Sequence, residues 1–255
     1  MKTSVAVIGG TGMNQWPGLE IEKRHEIYTP YGKPSAPLLE GKVYGTRAFF
    51  LARHGEGHKI PPHAINYRAN IWALHQVGVK SVVAIAAVGG IAPWFPPAGV
   101  AVPHDLIDYS HGREFTYSDG SEGSELKHVE MTEPYSERVR RELLHGALAA
   151  GIDIAEAAVM GITQGPRLET AAEIKRMKRD GCDMVGMTGM PEAALAREIG
   201  LDYACLALSV NWGAGIMGNG DIHAEIHQSI ETGMGKVRAI LSRALPALVI
   251  KDEEL

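Results

Sequence analysis

One pattern limits this chain more than any other: short apolar runs that close on a polar or glycine-rich turn, interleaved with segments of helical periodicity. Val5-Ala6-Val7-Ile8 runs into Gly9-Gly10-Thr11-Gly12, residues 47–52 run into Arg53-His54-Gly55, and residues 81–87 run into Val88-Gly89-Gly90. Between the second and third runs, residues 66–77 place Ile71, Leu74 and Val77 on one face and stop at Gly78. The same signals predict further strands at 100–107, 157–162, 183–186 and 203–210, and helices at 137–150, 170–179, 191–200 and 223–245. Such alternation argues for an α/β fold, a mainly parallel sheet with helices on both faces. No repeat or linker interrupts residues 1–255, which read as a single domain. The loose segments 110–127 and 213–220 read as loops within it.

Composition narrows the functions open to such a fold. With 25 basic and 30 acidic side chains and a formal charge of −5, the chain has no basic stripe for a nucleic-acid backbone or an anionic membrane. The amino-terminal apolar run is too short for a signal peptide and no long apolar stretch follows, so a cytoplasmic protein is expected. Cys182 and Cys205 lack metal-ligand or Cys-x-x-Cys spacing and read as reduced thiols.

In open α/β sheets ligands sit beyond the carboxyl ends of the strands, so the residues just past each run carry the functional argument. Gly9-Gly10-Thr11-Gly12 resembles the start of a dinucleotide fingerprint, but Gln15 stands where its third glycine belongs. A glycine turn with a threonine hydroxyl suits a small anion, and it also suits a plain turn that needs positive φ. Arg53-His54 follows a buried strand: a guanidinium there can grip a phosphate with two hydrogen bonds, and an imidazole adds a further donor. Thr188 follows another strand and precedes a helix starting near Pro191, whose amides and dipole favour an anion. The sequence has no Gly-x-Ser-x-Gly elbow, no His-Glu-x-x-His helix and no Gly-x4-Gly-Lys loop, which leaves covalent catalysis and ATP hydrolysis without support. His54, His58 and His63 have no acidic or cysteine partner at ligand spacing, so a solvent-facing loop is expected and no metal.

Taken in order, Gly9-Gly10-Thr11-Gly12, Thr29-Pro30-Tyr31-Gly32, Leu51-Ala52-Arg53-His54-Gly55, Asn66-Tyr67-Arg68-Ala69-Asn70-Ile71-Trp72-Ala73-Leu74, Gln164-Gly165-Pro166-Arg167 and Val185-Gly186-Met187-Thr188 with Pro191-Glu192 resemble the methylthioadenosine phosphorylase branch of the purine nucleoside phosphorylase family. The resemblance runs from about residue 4 to residue 245. It implies a mixed central sheet flanked by helices, a homotrimer, and cleavage of a purine nucleoside by inorganic phosphate to the free base and a ribose 1-phosphate, with no cofactor. It implies a phosphate cradle of Thr11, Arg53, His54, the Ala87 backbone and Thr188, and a ribose contact from Met187. Where the family commonly has a threonine this chain has Ala86, which removes one hydroxyl from the phosphate or ribose site.

The base pocket departs from the adenine-specific pattern at two places. The aspartate that reads the 6-amino group and N7 in the methylthioadenosine branch falls at Asn211, and a second aspartate falls at Gly213. A carboxylate only accepts, whereas a carboxamide can donate to O6 or N7 of a 6-oxopurine, which makes Asn211 the expected catalytic contact to the leaving base. Glu169 resembles the glutamate that accepts N1–H in 6-oxopurine phosphorylases. Its alternative role is that of a first-turn acid on the helix near Thr170. Both substitutions point to inosine, guanosine or methylthioinosine as substrate, with methylthioadenosine as the alternative. For the 5′ end, His128-Val129-Glu130-Met131 resembles the segment that reaches the neighbouring subunit's site. His223 falls near a histidine that contacts a 5′-hydroxyl in ordinary purine nucleoside phosphorylases, or is simply a polar residue of the last helix.

Overall fold

The computed structural model describes residues 4–10, 16, 18–118, 120, 125–217 and 222–250; the side chain of His223 is not among what is described. Ten strands and five α-helices follow one another along these residues. The strands are β1 (Val5–Gly9), β2 (Glu20–His25), β3 (Leu38–Val43), β4 (Thr46–Ala52), β5 (Ser81–Gly90), β6 (Val100–Ala101), β7 (Asp105–Asp108), β8 (Val159–Ile162), β9 (Met184–Gly186) and β10 (Asp202–Trp212). The helices are α1 (Tyr67–Gln76), α2 (Glu137–Ala149), α3 (Ala171–Asp180), α4 (Gly189–Glu198) and α5 (Ile222–Leu248).

The apolar runs read from the sequence become the buried centre of the sheet. β1 lies parallel between β4 and β5, and β5 lies parallel to β10 along most of its length. Their side chains, from Val5 through Ile8 and from Ala204 through Ala207, are almost wholly shielded from water, as expected of strands covered on both faces. At its far end β5 changes neighbour, pairing antiparallel with β9 through Gly89 and Gly90, and β9 continues in parallel to β8 and β7. The carboxyl ends of β1, β4, β5 and β10 therefore converge close to those of β8 and β9.

The sheet is mixed, as the family resemblance implied and the alternation of apolar runs did not, because of elements the apolar pattern does not reveal. β2 and β3 form an antiparallel extension against β4. β2 reads Glu-Ile-Glu-Lys-Arg-His and is exposed along nearly its whole length, so it carries no period-2 apolar signal and its charges protect a sheet edge. Opposite it, a Cβ at Gly41 would lie 2.4 Å from the Glu20 carbonyl oxygen, so this close approach of two strands requires glycine. The single strand expected at 100–107 is two: β6 pairs with β10 and β7 with β8, and Pro103, which has no N–H to give a ladder, stands in the break.

The helices follow their capping chemistry. Asn66 caps α1 by accepting from the Ala69 amide at 3.0 Å. Thr170 and Glu173 form a reciprocal capping box on α3, and Gly181 closes that helix in the left-handed conformation. α2 and α5 pack on each other, and both contact β10. The described part of loop 110–127 is held in place rather than loose: the buried Glu198 carboxylate at the end of α4 accepts from the Thr116 hydroxyl and the Tyr117 amide at 3.0–3.1 Å. Among the described residues no helix is long and apolar enough to cross a membrane.

Candidate active site

A cavity of about 420 Å³ opens where the strand ends converge. Of the residues singled out in the sequence, Arg53, His54, Ala86, Ala87, Glu169, Met187, Thr188 and Asn211 all line it, together with Gly10 of the glycine turn. Thr11 lies outside the described residues. The side chains come from six different strand ends, which explains why no local motif announces them.

Arg53 is 1% exposed and stands at the end of β4. Its Nε and Nη2 donate to the two carboxylate oxygens of Glu192, each at 2.7 Å, and its Nη1 donates to the Ile85 carbonyl at 3.1 Å. Glu192 is fully buried at the start of α4 and accepts in addition from the Tyr203 hydroxyl at 2.7 Å. Burial alone would lower the Arg53 pKa, but the charge and hydrogen bonds of Glu192 outweigh it and hold the guanidinium ionised. This corrects the expectation of a free two-pronged grip on phosphate: the side-on edge of the guanidinium is committed to Glu192. What faces the glycine turn is the Nη1 end, 3.3 Å from where a Cβ of Gly10 would sit.

His54 is corrected in the same way. Its Nδ1 lies 2.8 Å from the Ile60 carbonyl, an atom that can only accept, so the ring proton is on Nδ1. Burial, reinforced by the nearby Arg53 charge, lowers its pKa to about 4, which keeps the imidazole neutral near pH 7 and leaves Nε2 as an acceptor rather than a second donor. His58 stacks beside it at 4.3 Å between ring centroids and also lines the cavity, whereas His63 is exposed. Among the described residues no cluster of His, Cys, Asp and Glu is grouped to hold a metal.

Thr188 occupies the N-cap position of α4 but makes no capping bond, so its hydroxyl is not spent on the helix. On the opposite side, Glu169 precedes the N-cap of α3, and the acid that serves that helix is Glu173, as the capping box shows. The first-turn role considered for Glu169 thus belongs to its neighbour. Glu169 instead faces the cavity, with one carboxylate oxygen receiving the Thr163 hydroxyl at 2.6 Å. Asn211, at the end of β10 and 8% exposed, donates from Nδ2 to the Trp212 carbonyl at 2.7 Å.

Three sequence assignments lie elsewhere. Gly213 does not line the cavity; it is buried with its amide bonded to the Gly90 carbonyl at 2.8 Å, and a Cβ there would lie 3.2 Å from two Ile174 methyl groups. A side chain at this position would need the flexible Ile174 side chain to give by a few tenths of an ångström. His128 is exposed and lines no part of the cavity formed by this chain. His223 falls in the first turn of α5, with its side chain outside the described residues, and Ile226 on the same helix lines the cavity. Sequence reasoning missed Glu192 as the partner of Arg53, and Tyr203 as the donor to Glu192. The available signal was a lone acid in the apolar stretch Pro191-Glu192-Ala193-Ala194-Leu195.

The phosphorylase superfamily profile matches residues 4–246. The chain is similar to a probable S-methyl-5′-thioinosine phosphorylase of Pseudomonas syringae pv. tomato, 51% identical over 96% of this chain and 99% of that one. It is also similar to a 6-oxopurine nucleoside phosphorylase of Pyrococcus furiosus, 38% identical over 96% of this chain and 92% of that one. Among solved structures, the methylthioadenosine phosphorylase of Schistosoma mansoni in complex with adenine superimposes with a TM-score of 0.90 at 32% identity, covering 98% of this chain and 93% of that one.

Proposed function

This chain belongs to the phosphorylase superfamily, and on that premise we propose that it is a 6-oxopurine nucleoside phosphorylase acting on S-methyl-5′-thioinosine, inosine or guanosine. The observation that carries the reading is the pairing of Glu169 and Asn211 in the cavity that also holds Arg53, His54 and Thr188. N1 carries a proton in hypoxanthine and guanine but not in adenine, so Glu169 has a donor to meet only with a 6-oxopurine. The Asn211 carboxamide can donate to O6 or N7, where an aspartate would set acceptor against acceptor. The relatives at 51% and 38% identity, named for thioinosine and 6-oxopurine substrates, agree with this base preference over the methylthioadenosine alternative.

The reaction needs no side-chain nucleophile. A phosphate oxygen forms the bond to C1′ as the C1′–N9 bond breaks, and the phosphate charge stabilises the oxocarbenium-like transition state between them. The Nη1 end of Arg53, the Ala87 backbone and the Thr188 hydroxyl donate to phosphate, and the His54 Nε2 accepts from its P–OH. Met187 packs against the ribose. Asn211 stabilises the charge that develops on the departing purine. With Ala86 in place of a hydroxyl residue, this cradle works with one donor fewer. No cofactor is required, because phosphate is the co-substrate.

The segment His128-Val129-Glu130-Met131, with His128 and Glu130 exposed, fits a homotrimer in which one subunit completes the 5′ end of its neighbour's site. Release of a free purine base fits a role in purine salvage, in the cytoplasmic setting expected from the sequence. The test is chromatographic release of free base from methylthioinosine, inosine and methylthioadenosine, each with and without phosphate. Phosphate-dependent hypoxanthine release is expected; dominant adenine release would return the assignment to methylthioadenosine.

A further inference from the structure

We propose that Arg113 is a positioning residue for base recognition, holding the segment that carries Glu169 in register with the other cavity walls; the inference rests on the function proposed above. Arg113 lies in the loop between β7 and α2, is half-buried and does not line the cavity. Its guanidinium nevertheless bonds to three separate stretches of chain that do. Nη2 donates to the consecutive carbonyls of Thr163 and Gln164 at 3.1 and 2.8 Å, and Nε donates to the Gln164 side-chain oxygen at 3.1 Å. Nη1 donates to the Met190 carbonyl and, at 3.3 Å, to the Tyr67 hydroxyl, with the guanidinium lying over the Tyr67 ring.

Each of these acceptors leads directly to the cavity. Thr163 is the residue whose hydroxyl orients Glu169. Its amide makes a last sheet-like bond to the Gly186 carbonyl at 2.9 Å, and beyond it the chain leaves the ladder with its carbonyls facing Arg113. Met190 lies between Met187 and Glu192, and so between the ribose side and the Arg53 anchor. Tyr67 passes its own proton to the Pro62 carbonyl at 2.9 Å, and Pro62 is a wall residue. Gly165 shows how close the fit is: a Cβ there would lie 2.6 Å from the Met187 sulfur and 3.2 Å from Pro62. A planar cation with five donors can serve all five of these acceptors at once, whereas an ammonium has only three donors. Without it, half-buried carbonyls lose their partners and the turn before Glu169 loses its reference points.

The experiment compares Arg113→Ala and Arg113→Lys with the unaltered protein, varying nucleoside and phosphate separately and measuring amide hydrogen exchange over residues 163–169. Misplacing a recognition group by a fraction of an ångström is expected to raise the nucleoside KM by about tenfold or more in both variants. The phosphate KM is expected to stay within about twofold, because Glu192 fixes Arg53 independently of Arg113. The preference for inosine over adenosine should narrow, exchange over 163–169 should quicken, and added guanidinium ion should restore part of the Arg113→Ala loss. Unchanged exchange over 163–169 would overturn the proposal, as would a lower melting temperature with unaltered nucleoside KM and base preference. If the unaltered protein releases no base with phosphate, the proposed function fails, and the exchange measurement still decides whether Arg113 positions this segment.

Discussion

Arg53 and Glu192, 139 positions apart in sequence, meet in a two-pronged ion pair with both N–O distances at 2.7 Å and both side chains almost wholly out of water. Such a pair is costly to break from one side, because the remaining charge has neither partner nor solvent. Glu192→Ala is expected to destabilise the fold by about 3–5 kcal/mol, read by denaturant unfolding. It should also raise the phosphate KM, since only the Ile85 carbonyl would then hold the guanidinium. Arg53→Ala should raise the phosphate requirement sharply, and an unaltered phosphate dependence would remove Arg53 from the cradle.

The carboxylate of Glu169 is aimed by Thr163, so the two should behave as a unit in base selection. Glu169→Gln removes the charged acceptor for N1–H and should lower kcat/KM for inosine by about tenfold to a hundredfold, the range for a hydrogen bond to a charged group. Thr163→Val should show the same direction with a smaller size. Glu169→Ser is expected to move the preference toward adenine nucleosides more than Asn211→Asp does, because an aspartate at 211 would face the Trp212 carbonyl that now accepts from Asn211. Parallel kinetics on inosine and adenosine check the order.

What the sequence made legible was what local chemistry dictates. The strands β1, β4, β5 and β10 declare themselves as apolar runs because both their faces are covered; their polar ends supply Arg53, His54 and Asn211, and the body of β5 supplies Ala86 and Ala87. β2 and β3 were not legible: β2 is a charged edge strand stabilised by its pairing and not by a buried face, and β3, between β2 and β4, has no regular apolar alternation. The protonation and aim of the site residues were equally hidden. That Arg53 spends two donors on Glu192, or that His54 spends its ring proton on Ile60, depends on which carbonyls and carboxylates the fold brings alongside. Gly213 was read as a missing ligand, whereas its position lies outside the cavity lining and is tightly packed against Ile174.

Gly213→Asp therefore makes a direct trial of the packing argument. The new Cβ would press on the two Ile174 methyl groups at 3.2 Å and on the Gly90 carbonyl oxygen at 3.3 Å, and its carboxylate would start from a buried position. Overpacking of this kind costs about 1–3 kcal/mol. A lower melting temperature with no gain in adenine release is expected; a gain in adenine release at unchanged stability would show that the position does face the base.

His54 gives the fold a defined acid sensitivity. Its pKa is lowered to about 4, chiefly by burial, against about 6.5 in an unfolded chain. Across that interval the unfolded state binds the proton more readily than the folded one, so this residue's contribution to stability is complete above about pH 6.5 and is lost as the pH falls toward 4. Melting temperatures measured from pH 7.5 down to pH 4.5 should fall over this window, and His54→Asn should flatten the fall. The same neutral ring sets the catalytic expectation, because a protonated imidazole can no longer accept from the P–OH of phosphate. Phosphate itself titrates between pH 7.5 and 6, so the comparison is with His54→Asn: the pH profile of the phosphate KM should be the same in both proteins over this range, where the His54 proton count is constant; a change centred near pH 6.5 present only with His54 would mean that the imidazole titrates at its ordinary value and meets phosphate as a cation.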